Sequence, residues 1–104
     1  MQTVERVDAC TASEIAAAVR QGALDPAHLL AECLERIKAH DFVLGSFATV
    51  RGYAAQRDVE MLKSRFDLAQ LPLAGVPIAI KDNVAVAGEV QHSGSHVFDP
   101  LPKP

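Results

Sequence analysis

Between Thr11 and Pro26 the chain starts a helix, stops it and starts another. This punctuation constrains the fold more than any other feature of the sequence. "TASEIAAAVRQG" sets Thr11 and Glu14 at capping-box spacing. Ala12, Ile15, Ala16 and Val19 then share one face. Gly22 suits the left-handed position just past a helix end. Asp25 caps the next helix, and Pro26 takes its first position, where a missing N–H costs nothing. "PAHLLAECLERIKAHD" gives an apolar stripe of Leu30, Cys33, Leu34 and Ile37, with Glu32 and Arg36 paired at i,i+4 on the other side. The pattern predicts a helical hairpin over about residues 11–40.

The period changes after that. In "FVLGSFATVR", Phe47, Thr49 and Arg51 alternate with Ala48 and Val50, which reads as a short strand with Gly45 as the turn before it. "YAAQRDVEMLKSRF" returns to helix, with Ala55, Val59, Leu62 and Phe66 on one face. A loop, "DLAQLPLAGVP", leads to an apolar run at 76–80. The run does not alternate, so it reads as a strand buried on both faces. A second short strand is expected at 84–86, ended by Gly88. The whole reads as mixed α/β: a hairpin over about 11–40, strand–helix–strand over about 46–88, and an extended tail over 89–104. Two strands make a poor sheet alone, so the fold is expected to be incomplete in this chain.

Composition narrows the function. The net charge is −3 with no basic stripe, so nucleic-acid binding has no electrostatic support. No apolar run approaches a bilayer span, and the charged N-terminus lacks a signal core, which points to a cytoplasmic protein. Cys10 and Cys33 are too far apart for a CxxC motif and read as small apolar thiols. A chain of this size buries only about 60–65% of its unfolded surface, enough for a modest core but not a large enclosed cleft.

The feature that asks for a function is Lys81, where the apolar run ends in Lys81-Asp82-Asn83. A lysine closing a strand usually snorkels into water. At the carboxyl end of a buried strand, where ligands gather in open α/β sheets, it would instead be partly desolvated. Desolvation disfavours the ammonium, and a neutral amine can take a proton from a hydroxyl.

The block "PLAGVPIAIKDNVAVAGEVQHSGS" resembles the lysine-bearing signature of the amidase signature hydrolases. The matching positions are Pro72, Leu73, Gly75, Val76, Pro77, Ile78, Ile80, Lys81, Asp82, Asn83, Gly88, Gly94 and Ser95. The upstream order of two helices, a short strand and an Ala-rich helix is also similar, so the resemblance covers almost the whole chain. It implies amide C–N hydrolysis or transfer by a Ser–cisSer–Lys triad. Lys81 is then the general base, acting through a bridging serine, with no cofactor and no metal. The two triad serines would lie downstream in a Gly/Ser-rich block that these 104 residues do not contain. Ser93 and Ser95 flank a glycine, but the resemblance places them in a loop near the site. The chain is therefore expected to be the N-terminal segment of such a domain, inactive alone. Its partners would be the remaining part of the domain and a small-molecule amide substrate, and the N-terminal helices also suit a homodimer. Family members act on fatty amides, small diamides, aryl amides, allophanate and glutaminyl groups of charged tRNA. "AVAGEVQHSGS" looks more like a general amidase than part of a tRNA amidotransferase.

Other constellations carry less. His92 and His96 have i,i+4 spacing, but Ser-Gly-Ser between them argues against a helix and so against a metal site. His28 and His40 fall near opposite ends of the second helix, and His40 suits the dipole there. Asp82 and Asn83 read as turn residues that bond backbone N–H groups. No phosphate-binding glycine pattern occurs. The competing class is a non-catalytic helical docking module or small subunit, on which Lys81 is a surface residue.

Overall fold

The structure, a computed structural model, describes residues 9–91 and 93. Its frame is three helices. The first, α1 (Ala12–Arg20), begins with the capping box that the sequence announces. Thr11 Oγ1 accepts from the Glu14 N–H at 3.1 Å, and the Glu14 carboxylate accepts from the Thr11 N–H at 3.2 Å. Two orphan donors of the first turn are thereby satisfied. The helix closes in a Schellman motif. Gly22 adopts φ +77°, its N–H bonds the Val19 carbonyl at 3.1 Å, and the Ala23 N–H reaches back to the Ala18 carbonyl at 2.9 Å.

The second helix, α2 (Pro26–Leu44), starts where the Asp25–Pro26 pair places it, with Asp25 Oδ1 accepting from the Ala27 N–H at 2.9 Å. It runs past the expected end near residue 40, through Phe42, Val43 and Leu44, to a left-handed Gly45. Gly45 is thus a helix cap and not the turn before a strand. Asp41 completes the stop, its carboxylate accepting from the Ser46 N–H at 2.7 Å and the Phe47 N–H at 3.2 Å. On the exposed side Glu32 meets His28 at 3.1 Å.

The third helix, α3 (Gly52–Lys63), packs beside α2 and runs antiparallel to it. Lys63 Nζ, at its last residue, lies 3.4 Å from Asp25 at the start of α2. The helix ends three residues short of Phe66, so that side chain does not join the face of Ala55, Val59 and Leu62 and stands fully in solvent. A 3-10 turn, Leu68–Gln70, then brings the chain back against α1.

The core sits inside the α1–α2 hairpin. Ile15, Ala18 and Val19 of α1 meet Leu24 of the connecting turn and Leu29 of α2, which is 1% exposed. One member comes from far along the chain: Ala74, in the loop after the 3-10 turn, is 2% exposed. Cys10, Cys33, Leu68, Leu71 and Val76 pack around this cluster.

The expected strands at 46–51, 76–80 and 84–86 do not form. Among the described residues the only bridge positions are the isolated Ala87 and Val90. The cause is physical. A helix closes its own hydrogen bonds, whereas a strand needs a ladder of a neighbour's N–H and C=O groups, and among the described residues none of these three segments has one. The α/β expectation is therefore met in its helices and not in its sheet. The tail from 94 onward, with Gly94, Ser95 and His96, and also His92, lies outside the described residues.

Candidate functional site around Lys81

The segment bearing Lys81 is rooted on the helical hairpin. Arg20, in the last turn of α1, donates through Nη1 to the Leu71 carbonyl at 2.9 Å and the Pro72 carbonyl at 3.2 Å. A tight turn follows, closed by the Val76 N–H on the Leu73 carbonyl at 3.2 Å. Gly75 holds its third position at φ +72°, where an L side chain is strained. A Cβ there would stand 2.9 Å from Pro26 Cβ and 3.0 and 3.1 Å from the two Val19 methyls. Three residues of the signature-like block, Ala74, Gly75 and Val76, thus lie directly on the α1–α2 hairpin.

Beyond Val76 the chain leaves that surface. The expectation of a strand buried on both faces is not met: Ile78 is 73% exposed and Ile80 51%, and Lys81 is exposed as well. Lys81 opens a turn closed by the Val84 N–H on its carbonyl at 3.0 Å, with Asp82 and Asn83 at the centre, as turn residues should be. A second turn, 86–89, has Gly88 at φ +78° and the Glu89 N–H on the Val86 carbonyl at 3.0 Å.

The chain then folds back beside the Lys81 turn. The Ser93 N–H bonds the Asp82 carbonyl at 3.3 Å. Gln91 Nε2 donates to the Asn83 carbonyl at 3.3 Å and to Ser93 Oγ at 2.9 Å. Ser93 adopts φ +52°, a left-handed conformation uncommon outside glycine. Asp82, Asn83 and Ser93 are brought together here, and Gln91 is the group that sequence reasoning missed. Farther along, Arg51 at the N-terminus of α3 pairs through Nε with Glu89, and its Nη2 lies 3.7 Å from Asp58. The bond to Glu89 raises the pKa of the Arg51 guanidinium further above its ordinary value.

Other groups stay apart from this cluster. Cys10 and Cys33 remain thiols, and burial pushes the Cys33 thiol up. Among the described residues no group of three or more His, Cys, Asp or Glu is placed to hold a metal ion. Nor is any described helix long and apolar enough to cross a membrane.

Comparison with known proteins gives the class. The family model described as Amidase matches residues 28–104, from early α2 through the whole Lys81 segment. The chain belongs to the Amidase family. It is 44% identical over 75 residues to "Putative amidase AmiB2" of Mycobacterium tuberculosis, a match covering 71% of this chain and 16% of that protein. It is 36% identical over 77 residues to a component of the mitochondrial glutamyl-tRNA(Gln) amidotransferase of Homo sapiens, covering 72% of this chain and 14% of that protein. The chain therefore spans about one sixth of the length of the curated relatives it matches. No solved structure matches it.

Proposed function

We infer that this chain is the lysine-bearing N-terminal part of a cytoplasmic amidase domain that hydrolyses a carboxamide C–N bond. The observation that carries the reading is the family match over residues 28–104, because it contains the complete Lys81-Asp82-Asn83 block. In the reaction a serine hydroxyl adds to the amide carbonyl carbon while a second, bridging serine passes its proton to the Lys81 amine. The tetrahedral intermediate then expels the amine, which takes a proton as the C–N bond breaks, and water releases the acyl group from the serine. Both serines come from polypeptide that these 104 residues do not include. That polypeptide also covers residues 76–84 and excludes water from Lys81, which general-base work by a lysine requires. The substrate is a small carboxamide, and the higher identity to AmiB2 than to the amidotransferase component favours a general amidase.

The test is a hybrid in which this chain replaces the matching N-terminal segment of AmiB2, assayed for ammonia release from small carboxamides. The parent AmiB2 must be active in the same assay. The hybrid is expected to release ammonia, Lys81→Ala to abolish it, and the 104-residue chain alone to be inactive. A folded hybrid without activity, or an active Lys81→Ala, overturns the reading.

One observation favours a second reading. Lys81 and the apolar Ile78, Ile80 and Val84 are all exposed in this chain, as a docking module would have them. On that reading Lys81→Ala leaves the hybrid's activity untouched.

A further inference from the structure

Two arginines from the helical frame reach the two ends of the Lys81 segment. Arg20 of α1 holds the Leu71 and Pro72 carbonyls, immediately before the turn that buries Ala74 and seats Gly75. Arg51, at the start of α3, holds Glu89 at the end of the second turn and is itself braced by Asp58. Lys81 thus lies on a span, residues 73–88, that leaves the frame at one guanidinium and returns at another. Past Val76 this span carries little burial, and Ile78, Ile80 and Val84 are more than half exposed. Packing alone cannot hold its course, since a span of this length without anchors samples many paths.

We propose that Arg20 and Arg51 are positioning residues that strap both roots of the lysine-bearing segment to α1 and α3, fixing where Lys81 is presented. The two straps differ in kind. Arg20 donates to neutral backbone carbonyls, so its hold depends weakly on salt. Arg51 and Glu89 form a partly exposed ion pair, which salt screens over a Debye length of about 3 Å at 1 M. The consequence for catalysis rests on Lys81 being the general base; the straps themselves do not.

The experiment measures backbone order parameters by NMR on the 104-residue chain. Wild type is expected to keep residues 73–88 near the rigid value of about 0.85. Arg20→Met lowers residues 73–80 to about 0.6 or below while α2 and α3 stay rigid. Arg20→Lys, with one compact donor group for two carbonyls, recovers part of the order. Arg51→Met loosens residues 82–91, high salt reproduces that effect but not the Arg20 effect, and the swap Arg51→Glu with Glu89→Arg, made together with Asp58→Asn so that no carboxylate opposes the new one, restores order. Unchanged order in the Met variants, equal loosening of all three helices, or a swap that restores nothing overturns the straps. In the AmiB2 hybrid, Arg20→Met is expected to lower kcat about tenfold with KM unchanged, a loss confined to the transition state. An inactive wild-type hybrid counts against the amidase reading alone, and the order parameters still decide the straps.

Discussion

Gly75→Ala puts the seating of the Lys81 segment to a quantitative test. The substitution adds one methyl at a backbone φ of +72°, against Pro26 Cβ at 2.9 Å and the Val19 methyls at 3.0 and 3.1 Å. Holding an L residue in the left-handed region costs about 1–2 kcal/mol. Forcing a methyl into occupied space costs about 1–3 kcal/mol more, because neither a proline ring carbon nor a branched Val19 can swing aside. Gly45→Ala supplies the control. Gly45 has φ +63° and nothing within 4 Å of the added Cβ, so it bears the backbone cost alone. The entropy that alanine removes from the unfolded chain is the same in both and cancels. Gly75→Ala should therefore be less stable than Gly45→Ala by about 1–3 kcal/mol. Urea unfolding followed by helical circular dichroism reads this as a lower midpoint with an unchanged slope. In a Val19→Ala background, which bears its own core cost in both variants, the gap between Gly75→Ala and Gly45→Ala should narrow, as coupled neighbours require. Equal midpoints for the two glycine variants would mean that the loop is not seated on the hairpin.

Leu29→Ala removes the most buried large side chain and is expected to cost about 2–5 kcal/mol, whereas Phe66→Ala, fully exposed, should cost under about 0.5 kcal/mol. Equal losses in urea unfolding would contradict the placement of the core. Asp25 gives a pH signature. The Ala27 N–H, with Lys63 in support, holds its carboxyl below the ordinary 3.8. Because the folded value is the lower one, the stabilisation is complete above 3.8 and is lost as pH falls through the folded value. The stability gap between wild type and Asp25→Asn should be open near neutral pH and close in strong acid. A gap that persists there refutes the charged cap.

The helical part of this fold was legible because its signals are local. Thr11, Glu14, Gly22, Asp25 and Pro26 act within one turn of themselves, and each does in the structure what its type and spacing announce. Gly45 was legible as a stop but not as a helix stop, since Phe42, Val43 and Leu44 suit either element. Arg20 left no sequence signal. Its acceptors are backbone carbonyls 51 and 52 residues away, and a carbonyl has no residue type to recognise. Ala74 was hidden for a similar reason: a single alanine in a proline-containing loop shows no period.

The unmet strand expectation and the exposed Lys81 have one cause. Residues 76–80 are apolar on both sides and carry Pro77, a sequence that gains folding energy only when side chains are covered from two directions and N–H groups find a ladder. The hairpin covers Ala74 and part of Val76 and then ends, so Ile78, Ile80 and Lys81 pass into solvent together. An element that pairs with 76–80 would bury Ile78 and Ile80, and the same step would carry Lys81 toward a drier setting. Burial of the isoleucines and desolvation of the lysine should therefore be inseparable. A double substitution of Ile78 and Ile80 by serine should disable the AmiB2 hybrid as Lys81→Ala does, while leaving the urea midpoint of the isolated chain unmoved. Loss of stability in the isolated chain would show that the run is already packed there, and shared exposure would then no longer link the isoleucines to the lysine.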